Sequence, residues 1–170
     1  MEIKYIASLA IAFVACITDL RSRRVPNMLT FGAALAGLAF HALAPGGDGA
    51  VAAMLGWVIG IAVFFLPFVL GGLGGGDVKL LGALGAWLGP TDGIWLALYT
   101  GVAGGVMAVG VAVASGYLKQ ALANCYLLLS HWRVSGLRAL PQVSLEGSSG
   151  PRLAYALPIF AATVVTIWLA

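Results

Sequence analysis

Two aspartates carry the chemistry that this sequence can do. Asp77 closes the glycine run of Gly71-Gly72-Leu73-Gly74-Gly75-Gly76, and Asp19 ends the apolar stretch that opens the chain. Ionisable side chains bordering apolar segments are costly to keep at membrane depth, so such residues have a task or a partner. Two neighbouring carboxylates in a low dielectric cannot both ionise easily and share one proton. That arrangement activates water: the ionised carboxylate takes a proton from it, while the protonated one hydrogen-bonds a scissile carbonyl and then protonates the leaving amine. Each aspartate taken singly also has a structural reading. Asp19 could pair with an arginine such as Arg23, and Asp77 could cap a helix N-terminus. Their matched predicted depth favours the joint, chemical reading. The other acidic residues, Glu2, Asp48, Asp92 and Glu146, read as solvated loop charges.

Other chemistries fit less well. A phosphate-binding loop needs Gly-Lys-Ser/Thr at its end, whereas Asp77-Val78-Lys79 follows Gly76. No dinucleotide-binding register is present, and a carboxylate aimed into such a loop would repel phosphate. Cys16 and Cys125 form neither a paired-cysteine motif nor a metal-ligand spacing, and no metal or organic cofactor is expected. His41 and His131 stand alone and read as packing or interfacial residues.

The elements that must position the aspartates are membrane helices. Of the 170 residues, 61% are hydrophobic and only 9% are charged, and the mean hydropathy is +1.01. Soluble domains carry about a quarter charged residues. An all-α, polytopic membrane protein is therefore expected, as a single membrane-embedded domain over 1–170 whose main partner is the lipid bilayer. A net charge of +3 gives no reason to expect nucleic acid. A helix needs about 20 apolar residues to cross the hydrocarbon. Six spans are read near 3–18, 28–44, 50–70, 78–89, 94–118 and 153–170, with a cytoplasmic segment at 119–152. The first is not read as a cleaved signal, because Arg21, Arg23 and Arg24 follow it rather than precede it. The span at 78–89 is too short for the bilayer, so either the bilayer thins or the glycine loop before it enters the membrane. The spacings Gly56-x-x-x-Gly60, Gly85-x-x-x-Gly89 and Gly101-x-x-x-Gly105 suit close helix packing.

Alternation of six spans places eight of the nine Lys and Arg residues on one side, leaving Lys4 on the other. The positive-inside rule makes the first side cytoplasmic, with both termini outside. Residues 119–135, apolar with basic ends and Trp132, read as an interfacial helix on that face, and 136–151 as a polar loop. Asp19 and Asp77 then both sit at the cytoplasmic boundary.

Two motifs together resemble a known family. Gly74-Gly75-Gly76-Asp77 resembles the G-x-G-D signature of intramembrane aspartyl proteases, and Thr18-Asp19-Leu20-Arg21-Ser22-Arg23-Arg24-Val25-Pro26-Asn27 is similar to the other half of the type IV prepilin peptidase site. The motifs cover about 25 residues, and the six-span layout extends the resemblance along the chain. The resemblance implies an endopeptidase that removes the short basic leader of prepilin-like precursors at the cytoplasmic face of the bacterial inner membrane. It puts the catalytic pair on Asp19 and Asp77. Gly74 and Gly76 would admit the backbone near its partner, and Pro26 and Asn27 would set the turn into the second span. Lys79 and Arg21 match the pattern as supporting residues or as cytoplasmic anchoring charges. Larger family members carry a cytoplasmic insertion with paired cysteines and also methylate the new N-terminus. Here the second span starts nine positions after Asp19, so the chain looks like the short, peptidase-only members of the Flp or tight-adherence type. An archaeal preflagellin peptidase is similar enough to stay open. Outside proteolysis, the same carboxylates would suit a small ion- or proton-coupled transporter, and the Gly-x-x-x-Gly faces a non-enzymatic membrane scaffold.

Overall fold

A computed structural model of the chain describes residues 2–43, 48–138, 140 and 153–170. Among these the chain forms helices only: α1 (Ile3–Ser22), α2 (Asn27–Ala42), α3 (Asp48–Val69), α4 (Gly75–Ala114), α5 (Leu118–Ser135) and α6 (Ala156–Leu169). Glu146, Arg152 and most of the polar loop expected at 136–151 lie outside the described residues. Three helices, α1, α3 and α4, are long and apolar enough to cross a membrane, and α2 and α6 are shorter apolar helices.

The fourth and fifth spans read from the sequence are one element, α4, broken at a single residue. Gly89 has φ 83° and ψ −177°, outside helical geometry, and Pro90 follows it. Proline contributes no N–H and blocks the preceding helical turn, while glycine takes the positive φ without strain. The separation expected at residues 90–93 is therefore a one-residue kink at Gly89, with Thr91, Asp92 and Gly93 already helical. The glycine loop is also shorter than expected. It ends at Gly74, and Gly75, Gly76 and Asp77 form the first turn of α4.

The short span at 78–89 has a protein explanation. Leu80 to Gly89 are all buried, and α4 packs against α1, α2, α3 and α6. A helix that is apolar on every side is a core element, and one wrapped by its neighbours has no need to match the hydrocarbon thickness.

Glycine makes that wrapping possible. A Cβ on Gly56 of α3 would collide with the Gly85 carbonyl oxygen, and one on Gly60 with the Leu81 carbonyl. Two of the three Gly-x-x-x-Gly motifs thus pack against each other, backbone on backbone. The third does not: among the described residues a Cβ on Gly101 or Gly105 would meet nothing within 4 Å. Among the described residues no helix packs on Gly101 or Gly105.

Polar contacts tie the outer helices to α4. The Trp87 indole N–H donates to the Ala33 carbonyl of α2 at 2.8 Å, and the His41 ring Nε2 lies 2.9 Å from the Trp87 carbonyl oxygen. That carbonyl sits beside the kink, where helical carbonyls lose their usual partners. His41 is accordingly a packing residue with a specific bond. Asp92 departs from its reading as a solvated loop charge. It lies within α4, accepts the Tyr5 hydroxyl at 3.4 Å and lies 4.0 Å from the Lys4 ammonium. The kink keeps Asp92 helical and turns it toward the first turn of α1.

These contacts predict an asymmetry between glycines. Gly85→Ala should destabilise the fold by about 1–3 kcal/mol through overpacking. Gly101→Ala should change stability by no more than about 1 kcal/mol, in the stabilising direction, through helix propensity. Thermal unfolding of both variants in detergent, followed by circular dichroism, checks the difference.

Candidate active site

Asp19 lies in the last turn of α1, one turn inside the helix end rather than at it. The helix closes on Arg23, whose φ of 54° and ψ of 32° are left-handed and whose backbone N–H donates to the Asp19 carbonyl oxygen at 2.8 Å. Arg23 is the single non-glycine residue with positive φ among those described, and this conformation costs about 1–2 kcal/mol in a residue with a Cβ. It reverses the chain at once and sends Arg24 and Val25 back toward α2. Ser22 braces the turn by donating to the Thr18 carbonyl at 2.7 Å.

The Asp19 side chain is buried, with 7% of its surface exposed. One carboxylate oxygen accepts the backbone N–H of Ala156 at 3.2 Å. Ala156 is the first residue of α6, so this carboxylate satisfies one of the unpaired donors that every helix N-terminus presents. The helix dipole favours an anion at the same place. The bond joins residues 137 positions apart.

Asp77 sits in the first turn of α4, where an acidic residue suits the helix N-terminus. Its carboxylate folds back over Gly74: a Cβ there would lie 2.9 Å from the nearer carboxylate oxygen. Gly76 serves a different contact. A Cβ on it would come 3.2 Å from the Val25 Cβ, so its bare backbone lets the α1–α2 connection lie against the start of α4. The two glycines singled out from the sequence thus have separate steric reasons, one toward Asp77 and one toward Val25.

The result is one cavity of about 440 Å³ lined by Asp19, Asp77, Gly74, Gly75, Gly76, Pro26 and Asn27, with Arg23, Arg24 and Val25 completing it. Pro26 precedes the first residue of α2 with φ −63°, the value its ring imposes. Lys79 lies outside the cavity lining but touches it indirectly. Its ammonium donates to the Asn27 side-chain carbonyl at 3.0 Å and stands 5.3 Å from the Phe31 ring centre. This ties α4 to the start of α2 and gives Lys79 and Asn27 a shared positioning contact. Arg21 is exposed on the last turn of α1 and is not part of this wall.

A second cavity of about 410 Å³ is also lined by Asp77. Its walls include Phe64 of α3, Gly101, Gly104, Gly105 and Ala108 of α4, and Tyr155. The open glycine face of α4 is therefore a cavity wall. Sequence reasoning missed the contribution of Tyr155 and Ala156. It read 153–170 as a span only, and a backbone N–H or a phenol at a helix start leaves no local signature.

The type IV leader peptidase family matches residues 6–109 of the chain. The prepilin leader peptidase/N-methyltransferase of Aeromonas salmonicida strain A449 is 30% identical over 122 residues, covering 67% of this chain and 42% of the relative. A second A. salmonicida protein of the same description matches equally. The chain thus spans less than half the length of these relatives. No solved structure matches it. The matched region includes every residue of both motifs, Asp19 and Asp77 among them, and the chain belongs to the type IV leader peptidase family.

Proposed function

We propose that the chain is a membrane aspartyl endopeptidase that removes the leader from prepilin-like precursors, with Asp19 and Asp77 as the catalytic pair. The observation that carries this reading is the shared cavity: two carboxylates 58 positions apart line it together with the bare backbone of Gly74, Gly75 and Gly76. Family membership supplies the substrate class.

The chemistry follows from the pair. A peptide entering the cavity finds no side chain on Gly74, Gly75 or Gly76 and can bring its main chain close to the carboxylates. One carboxylate, ionised, accepts a proton from the attacking water. The other, protonated, donates a hydrogen bond to the scissile carbonyl and then gives its proton to the departing amine. The proton held by the pair is restored when the first carboxylate passes on the one it took. Gly74 and Gly76 keep the wall thin, Pro26 and Asn27 set the turn, and Lys79 fixes Asn27. Arg21 supplies membrane-surface charge.

The chain is read here as a single-domain, six-span protein of the bacterial inner membrane, the two halves of α4 counting as two spans. The site faces the cytoplasm, the termini face outward and α5 lies along the cytoplasmic surface. None of the residues of α5 is buried, as suits a helix resting on lipid headgroups. The α1–α2 connection from Arg23 to Pro26 is too short to hold a paired-cysteine insertion, which supports a peptidase without methyltransferase activity, of the Flp or tight-adherence type. No observation favours the ion-coupled transporter or the scaffold.

Asp19→Asn and Asp77→Asn should each lower cleavage of a purified prepilin precursor by about 10²–10⁴-fold while the variants still insert. Normal processing by either variant, read by mapping the new N-terminus, sinks the assignment. The wild-type rate should be bell-shaped in pH, because the working state holds one proton on the pair. A flat profile from about pH 4 to 9 contradicts a shared proton. Cys125 is exposed on α5, whereas Cys16 is buried. A membrane-impermeant maleimide should label Cys125 in inside-out vesicles and not in intact cells, and the opposite pattern would reverse the proposed orientation.

A further inference from the structure

The head of α6 contacts both carboxylates' surroundings in two consecutive residues. Ala156 gives its backbone N–H to Asp19, and Tyr155 lines the second cavity together with Asp77. The Tyr155 ring is held from two sides. It stands edge-on to Phe64 with ring centres 6.3 Å apart. On the other side it lies against Gly104, where a Cβ would overlap the phenol oxygen. Its hydroxyl makes no hydrogen bond to any described residue, although a partly buried tyrosine hydroxyl usually finds a partner. Beside it, no described residue comes within 4 Å of the Cβ positions of Gly101 and Gly105. A fixed ring, an unused donor and free space next to a candidate catalytic carboxylate meet at one place.

We propose that the Tyr155 hydroxyl is a substrate contact of the cleavage site, donating a hydrogen bond to a main-chain carbonyl of the bound precursor and holding that strand against Asp77. The inference rests on the peptidase reading and extends it to a residue outside the two motifs. A peptide strand leaving water for this cavity must find partners for its own carbonyls, and apart from Asp77 and Tyr155 the walls are glycine, alanine, leucine, proline and phenylalanine. Tyr155 is the neutral donor there. Gly104 is small so that the phenol can reach its position, and Gly101 and Gly105 leave the strand room beside it.

The test uses the full chain reconstituted in liposomes with a prepilin precursor. Tyr155→Phe keeps the ring and its packing and removes the hydroxyl alone. It should lower kcat/KM by about tenfold, the effect of one hydrogen bond, with the thermal midpoint unchanged. Gly104→Ala, which displaces the phenol, should lower kcat/KM similarly, and the double variant should lose no more than the larger single loss. Wild-type kcat/KM in Tyr155→Phe overturns the proposal, as does a loss in Tyr155→Phe matched by a fall in that variant's thermal midpoint, which marks a structural role. If the wild-type chain itself cleaves no precursor, the peptidase reading falls first. A cleaving wild type with an indifferent Tyr155→Phe sinks only this inference.

Discussion

The approach of α3 to the first half of α4, glycine backbone against glycine backbone, is the constraint on which the rest of the structure depends. Gly56 and Gly60 meet Gly85 and the Leu81 carbonyl with no space for a Cβ. Lipid tails are as apolar as leucine, so helices in a bilayer associate through close packing rather than hydrophobic exclusion. This contact buries the first half of α4 and lets the remaining helices close around it. A helix enclosed in this way can be short, can break at Gly89, and can present its first turn to a polar cavity while its body remains in the core.

A buried carboxylate needs polar partners, and Asp19 obtains one from an element distant in the chain. The N-terminus of α6 supplies it, and in return its own unpaired donor is satisfied. The same arrangement brings Tyr155 beside Asp77. Asp19 therefore organises the site from one side and Asp77 joins two cavities from the other. The catalytic reading gains from this architecture: one cavity is floored by bare glycine backbone, and the next offers a rigid phenol and an open glycine face.

Sharp reversals of the chain hold these pieces in register. The left-handed Arg23 ends α1 one turn after Asp19, and the extended run to Pro26 lies against Gly76. The bond from Lys79 to Asn27 then closes α4 onto α2. Each device is local, and together they bring two short sequence motifs into one wall.

The sequence by itself determined the material and the reagents. Low charge and long apolar runs dictate helices because an isolated backbone in lipid must satisfy its hydrogen bonds internally. The two aspartates stood out because carboxylates are costly next to such runs, and their motifs carried the family. Lys79 and Asn27 were legible as residues but not as a bonded pair. The tertiary structure alone decided which glycines pack and which line a cavity, since Gly85-x-x-x-Gly89 and Gly101-x-x-x-Gly105 read alike along the chain. It also turned a presumed loop into a one-residue kink, and it set the Ala156 N–H on Asp19 and the Tyr155 phenol next to Asp77. Those choices depend on contacts between residues many positions apart, where the steric fit and the satisfaction of a buried polar group are properties of the assembled helices and not of any local pattern.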